Sequence, residues 1–177
     1  MKIASITSSN RGETDQILSS IAAEFQAAGV ALCGIVKDQS HDSAFANGCD
    51  MKVRVLPAGP IIQITQNLGA GSDACRLDPG AIATAVSTVE SQSLAEADLF
   101  ILNKFGPEEA AGRGFVSVIA AALEHDIPVL VGVGKASLDA FNAFAGGMAE
   151  ALPADPNKIR HWYQASADAA KIAENTA

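Results

Sequence analysis

The sequence predicts an α/β protein: a three-layer, mostly parallel sheet with helices on both faces and an added β-hairpin. Three observations carry this. Short apolar runs of strand length alternate with longer stretches whose apolar residues recur at helical spacing. Two of the runs, residues 99–102 and 127–133, are apolar almost without interruption, as strands buried on both faces of a parallel sheet must be. The 177 residues, 49% hydrophobic and 18% charged, suit one domain spanning residues 1–177 and exclude a disordered, collagenous or low-complexity chain.

The elements follow in order. Residues 2–7 form a short apolar run that ends in the polar stretch Ser8-Ser9-Asn10-Arg11-Gly12, which reads as a strand leaving into a loop. From Thr14 onward Ile17, Leu18, Ile21, Ala22 and Phe25 recur as one helical face, and Gly29 supplies the stop. Residues 30–36 are a second strand and residues 37–50 a polar loop. Residues 51–56 and 60–65 read as two short strands joined by a Pro-Ala-Gly-Pro turn, a hairpin at or near a sheet edge. Asp78 caps the next helix and Pro79 opens it, because proline has no N–H to leave unpaired there; Ile82, Val86 and Val89 mark its buried face. A helix through Phe115, Ile119 and Leu123 separates the two long apolar strands. Leu138, Phe141, Ala145, Met148 and Leu152 predict one further amphipathic helix after Ser137, and the tail through Trp162 and Ile172 reads as a helix docked on the outside, with Trp162-Tyr163 as its anchor.

Composition narrows the function classes. There are 34 alanines against one Trp, one Tyr and seven Phe, so the core is built from small and aliphatic side chains and stacking platforms are few. Twelve basic and 20 acidic residues leave a formal charge of -8, the wrong sign for neutralising nucleic-acid or membrane phosphates, so neither partner is expected. Cys33, Cys49 and Cys75 form no CxxC pair and His41, His125 and His161 no ligand spacing; no metal site is expected, and a reduced interior is the default. His125, near a helix end, reads as a partner of the helix dipole. The first residues are too short an apolar run for a signal peptide and no stretch approaches the ~20 apolar residues of a membrane span, so a soluble cytoplasmic protein is expected.

Ligands of open α/β sheets bind outside the carboxyl ends of the strands, which directs attention to residues 8–14, 66–78 and 103–114. The first of these occupies the place of a phosphate-binding loop. Thr7-Ser8-Ser9-Asn10-Arg11-Gly12-Glu13-Thr14 matches the second glycine and the terminal hydroxyl of a Walker A motif, with Thr7 for the first glycine and Glu13 for the lysine. A carboxylate there repels a triphosphate unless Arg11 compensates. The alternative is a polar strand-to-helix turn whose helix start attracts anions in any case. Residues 103–114 present Asn103, Lys104, Glu109 and Arg113 where a Walker B acid and a water-activating acid commonly stand. Asn103-Lys104 also matches half of a guanine-reading NKxD string, but Gly106 replaces its aspartate.

Gly69, Gly71 and Ala74 spell G-x-G-x-x-A, yet Cys75-Arg76-Leu77-Asp78 intervene before the helix, so the string fails the context of a dinucleotide fingerprint. Its glycines permit close backbone approach, and Arg76 can bind an oxyanion in bidentate fashion; a capped surface loop is the competing reading. Cys75 beside Arg76 is either a spectator thiol or a thiolate nucleophile.

Three strings together resemble the bacterial family known as domain of unknown function 2478: residues 64–80, residues 98–115 with Asn103-Lys104-Phe105-Gly106 and Gly112-Arg113-Gly114-Phe115, and residues 127–147 with Asp139-Ala140-Phe141 and Phe144-Ala145-Gly146-Gly147. That family in turn resembles, distantly, the P-loop nucleoside-triphosphatases of the thermophile and cancer-related type. The resemblance implies a P-loop NTPase-like fold. It also implies Glu109 as the group that positions a water, with Asn103 and Lys104 replacing two acids and Lys104 supplying a missing positive charge. The association of family members with molybdenum-related genes implies an oxyanion or a molybdenum-cofactor nucleotide as a ligand. The expected site therefore comprises Glu109 and Lys104 as the catalytic groups, and Ser8, Ser9, Asn10, Arg11, Gly12, Thr14, Arg76, Asn103 and Arg113 as the phosphate- or anion-binding groups. The expected function is nucleotide phosphate binding with at most weak triphosphatase activity, magnesium accompanying any bound triphosphate. The alternative is non-enzymatic binding of a molybdate-type oxyanion. The partner is a small anion in either case, and the oligomeric state is left open.

Overall fold

The computed structural model describes residues 2–41, 50–66 and 76–174. They run β1 (Ile3–Ile6), α1 (Glu13–Ala27), β2 (Leu32–Lys37), β3 (Lys52–Val55), β4 (Ile61–Gln63), β5 (Thr65–Gln66), β6 (Arg76–Leu77), α2 (Pro79–Glu90), β7 (Leu99–Phe105), α3 (Pro107–Ala110), α4 (Val116–Glu124), β8 (Val129–Val133), α5 (Leu138–Ala145), β9 (Glu150–Leu152) and α6 (Pro156–Glu174). The main sheet has the order β4-β3-β2-β7-β8-β1-β9, and β5 pairs with β6 in a small second sheet. β2, β7, β8, β1 and β9 pair in parallel, while β3 and β4 are antiparallel and form the edge hairpin that the turn residues predict.

Alternation along β7 shows why the central strands carry apolar residues at every position. Leu99 and Ile101 join the buried cluster of Leu18, Ile21 and Phe25 from α1 with Ile159 and Trp162 from α6. Phe100 and Leu102 face the other way, into the cluster of Ile82 and Val89 from α2, Ile119 from α4 and Phe141 from α5. The sheet is thus covered on both faces. Trp162 is buried, and the Tyr163 ring lies 4.7 Å from that of Phe25, which docks α6 as the tail residues predict. Asp78 caps α2 by accepting the N–H groups of Gly80 at 2.9 Å and Ala81 at 3.1 Å, ahead of Pro79.

Three elements differ from the sequence expectation. The strand expected over residues 60–65 is divided between β4 of the main sheet and β5, which pairs with β6 in the second sheet. The helix expected from Leu138 through Leu152 stops at Ala145, because Gly146 and Gly147 adopt φ of 58° and 78°, a left-handed turn that ends a helix. Residues 150–152 then become β9 beside β1, so Leu152 packs from a strand. The strand expected over residues 99–102 continues to Phe105, which places Asn103 and Lys104 inside the sheet rather than in a loop.

At the end of β2, Asp38 is buried between Ser40, which donates to it at 2.9 Å, and Arg54 of β3, which donates at 3.1 Å. Burial pushes its carboxyl pKa up, but the hydrogen bonds from Ser40 and Arg54 outweigh this and hold it below the ordinary aspartate value. A lowered folded value stabilises the fold fully above about pH 3.9, the unfolded aspartate value, and that contribution is lost as pH falls through the lower folded value. Urea unfolding of Asp38→Asn against pH is expected to give a shallower acid limb than the native chain shows; superimposable slopes would contradict this account.

Candidate functional site

β1 delivers the chain into residues 7–12 at the carboxyl end of the sheet, and α1 begins at Glu13 after Gly12, whose φ is 79°. The Glu13 side chain turns back over the loop that precedes it. Its carboxylate accepts from the Ser8 hydroxyl and from Asn10 Nδ2 at 3.1 Å. The Ser8 hydroxyl accepts from the Asn10 N–H at 3.0 Å, and Thr14 Oγ1 accepts from the Ser8 N–H at 3.2 Å. The loop therefore carries an anion of its own, on polar groups that a phosphate-binding loop offers to a ligand.

The next residue, Asp15, is the centre of the site. It is buried in the first turn of α1, with Lys37 Nζ 3.4 Å from Oδ2 and Lys104 Nζ 3.8 Å from Oδ1. With its amide nitrogen turned toward Asp15, buried Asn103 donates to Oδ1 at 3.0 Å and accepts from the Lys37 N–H at 3.2 Å. Close approach is required for this, and Gly132 of β8 permits it. A Cβ at that position would stand 2.6 Å from Leu18 Cδ1, 3.2 Å from Thr14 Cγ2 and 3.4 Å from Asn103 Oδ1. The start of α1 and the end of β7 thus meet over a bare backbone.

The remaining predicted residues lie elsewhere or in other roles. Ser9, Asn10 and Arg11 are exposed on the first loop. Glu109 is buried; Oε2 accepts from the Gly106 N–H at 2.9 Å and Oε1 from the Phe115 N–H at 3.1 Å, so its carboxylate ties both ends of residues 106–115 together. Arg113 is exposed and engaged in a bidentate contact with Glu108 at 2.8 and 3.1 Å; that contact lowers the Glu108 pKa and raises that of Arg113. Arg76 pairs through its backbone with Gln66 in the second sheet, and its side chain lies outside the described part of the chain. The G-x-G-x-x-A string, Cys49 and Cys75 also lie outside the described residues. Cys33 is buried, and burial raises its thiol pKa against a smaller opposing hydrogen bond from Gly34.

Asp15, Lys37 and Gly132 are site residues that the motif search passes over. Asp15 carries a signal nonetheless: it falls on the apolar stripe of Leu18, Ala22 and Phe25, where a charge needs a buried partner.

A magnesium ion bound with a triphosphate needs hard oxygen ligands. Thr14 Oγ1 is engaged by Ser8, and an amide and an ammonium, Asn103 and Lys104, stand at the end of β7 in place of acids. Among the described residues no group of three or more His, Cys, Asp or Glu side chains is placed to hold a metal. These donors do not fit a resident magnesium, and no step is assigned to one. Among the described residues, no helix is long and apolar enough to cross a membrane.

The architecture matches that of a human cancer-related nucleoside triphosphatase solved in solution, with a TM-score of 0.57, 10% identity and 100% of each chain covered. This places the chain in the class of α/β proteins with the P-loop nucleoside-triphosphatase fold. Residues 3–162 match the model of the family described as "Protein of unknown function (DUF2478)", and the chain belongs to that family. It is also 33% identical over 165 residues to the molybdenum import ATP-binding protein ModC 2 of Bradyrhizobium diazoefficiens. That match takes in 92% of this chain but 18% of the relative, so the chain spans less than a fifth of that protein's length.

If Asp15 organises the site, Asp15→Ala leaves the Asn103 amide without its acceptor and two ammonium groups without a counter-charge. We expect a loss of ~1–3 kcal/mol in denaturant unfolding; a change below about 0.5 kcal/mol, the level of an ordinary surface substitution, would contradict the assignment.

Proposed function

We propose that the protein binds the phosphate of a nucleotide at the carboxyl ends of β1 and β7 and holds it with little or no hydrolysis. The observation that carries this reading is the convergence of the first turn of α1 with Asn103 and Lys104 around Gly132. In it, the groups of Ser8, Ser9, Asn10, Gly12 and Thr14 surround the phosphate, Lys104 supplies the cation that Glu13 does not, and Arg11 approaches from the exposed side of the loop. Arg76 joins only from β6 and Arg113 only from the loop before α4, after leaving Glu108.

Slow turnover follows from the same residues. Glu109 would position a water and Lys104 would stabilise the developing charge, but both Glu109 oxygens are committed to backbone N–H groups. A carboxylate that holds a loop is a poor partner for an attacking water, and the Glu13 carboxylate competes with any phosphate for Ser8 and Asn10. Thermal unfolding with ATP, GTP or ADP tests the reading. A nucleotide at 100 times its dissociation constant is expected to add about 2.7 kcal/mol of stability, to lose that effect in Lys104→Ala, and to release little or no phosphate over hours. No shift with any nucleotide at millimolar concentration would overturn it.

The name of the ModC 2 relative favours one second reading: a non-enzymatic accessory protein of molybdenum metabolism that takes a molybdate-type oxyanion at the same cations. It is distinguished in the same experiment by a thermal shift with molybdate and none with nucleotides.

A further inference from the structure

A cavity opens at this site between β2, β7 and α2. Its room for water centres amounts to about 170 Å3, and a single water needs about 10–15 Å3 of such room. The space therefore suits a ring system of ten or so non-hydrogen atoms rather than a lone ion. Much of its wall is apolar, with Ile35, Ile64, Ile82, Ala85, Phe105 and Phe115 among the lining residues. An oxyanion alone gains nothing from such walls; an apolar body does, at about 25 cal/mol for each Å2 removed from water.

One end of the cavity is polar, and the charge count there is specific. Asp15, Lys37, Asn103 and Lys104 all line it. Two ammonium groups share the single Asp15 carboxylate, at 3.4 and 3.8 Å, and remain 37% and 45% exposed. Each ammonium has three donors, so both retain N–H groups for a further acceptor. The other acid of the lining, Glu109, has its oxygens on the Gly106 and Phe115 N–H groups. The groups left to meet a ligand there are therefore cationic N–H donors beside apolar walls.

We propose that this cavity binds a small organic anion with an apolar ring or branched body, its anionic oxygens held by Lys37 and Lys104 and its body packed among the isoleucine and phenylalanine side chains. The site shares Asn103, Lys104 and Glu109 with the phosphate reading given above but goes beyond it in using Lys37 and the apolar walls; it stands if nucleotides fail to bind. The anionic group is a carboxylate or a phosphate ester, and the test separates them.

The experiment is a titration of the intact chain, with isoleucine methyl groups labelled for NMR, by 1-naphthoate, 1-naphthyl phosphate and the uncharged 1-naphthalenemethanol. At least one anion is expected to move the Ile35, Ile64 and Ile82 signals in saturable fashion, and to bind at least about five-fold more tightly than the alcohol, a gain of the size exposed charge contacts provide. The stronger of the two anions identifies the head group. In the double variant Lys37→Gln/Lys104→Gln that preference is expected to vanish while the alcohol binds as before, and Ala85→Leu, which adds bulk to the wall, should weaken all three probes. Should either variant fail to fold, the comparison of the two anions with the alcohol on the native chain carries the decision. Absence of saturable shifts at those three isoleucines with every probe, anions binding no better than the alcohol, or an anion preference that survives loss of both lysines would overturn the proposal.

Discussion

A buried carboxylate in the first turn of a helix has to be paired, and the pairing of Asp15 arranges most of what surrounds it. Its partners come from the ends of two strands that the sheet sets side by side, Lys37 on β2 and Asn103 with Lys104 on β7. An unpaired charge at that depth costs several kcal/mol, so the start of α1 is held against the carboxyl end of the sheet by electrostatic need as well as by apolar packing of Leu18 and Ile21. Gly132 supplies the remaining condition. A side chain there would crowd Leu18 and Thr14 of α1 and the Asn103 amide, and these would have to shift to admit it.

The consequence is a fold of the nucleoside-triphosphatase type with altered chemistry at each place where that fold does its work. Where a Walker lysine would extend toward a phosphate, Glu13 folds back on Ser8 and Asn10. On β7, where an acid is expected, an amide and an ammonium stand, and both contact Asp15. Glu109 has become a clasp for the loop that carries it. The Glu13 and Glu109 carboxylates thus face the protein, while the Lys104 ammonium stays 45% exposed and keeps donors for a ligand, which is the ground for proposing binding without turnover. The fold alone does not decide this.

Much of this was legible in the residues, and what was not has identifiable physical reasons. The alternation of buried runs and amphipathic stretches specifies the parallel core, and Asp78-Pro79 specifies a helix start, because both depend on local chemistry. The strand β9 escapes a periodicity argument: three residues are too few to show a period, and Met148 and Leu152 fall by chance on the stripe of α5. The double glycine before it was the better guide. Asn103 and Lys104 lie within β7 rather than in the loop after it, since the strand continues past the point where its side chains become polar. Arg113 and Glu108 find each other across a turn whose shape no spacing rule supplies. Pairings made through the fold, such as those of Asp15 with Lys37 and Lys104, depend on which strands are neighbours, and that is set by topology rather than by nearness in sequence.

On the reading proposed above, residues 8–14 and residues 103–106 belong to one ligand site. Backbone amide NMR with ATP titrated into the native chain tests this. The signals of Ser8 through Thr14 and those of Asn103, Lys104 and Gly106 are expected to shift together and saturate with one dissociation constant. Shifts confined to one of the two segments, or fitting two unrelated constants, would contradict it.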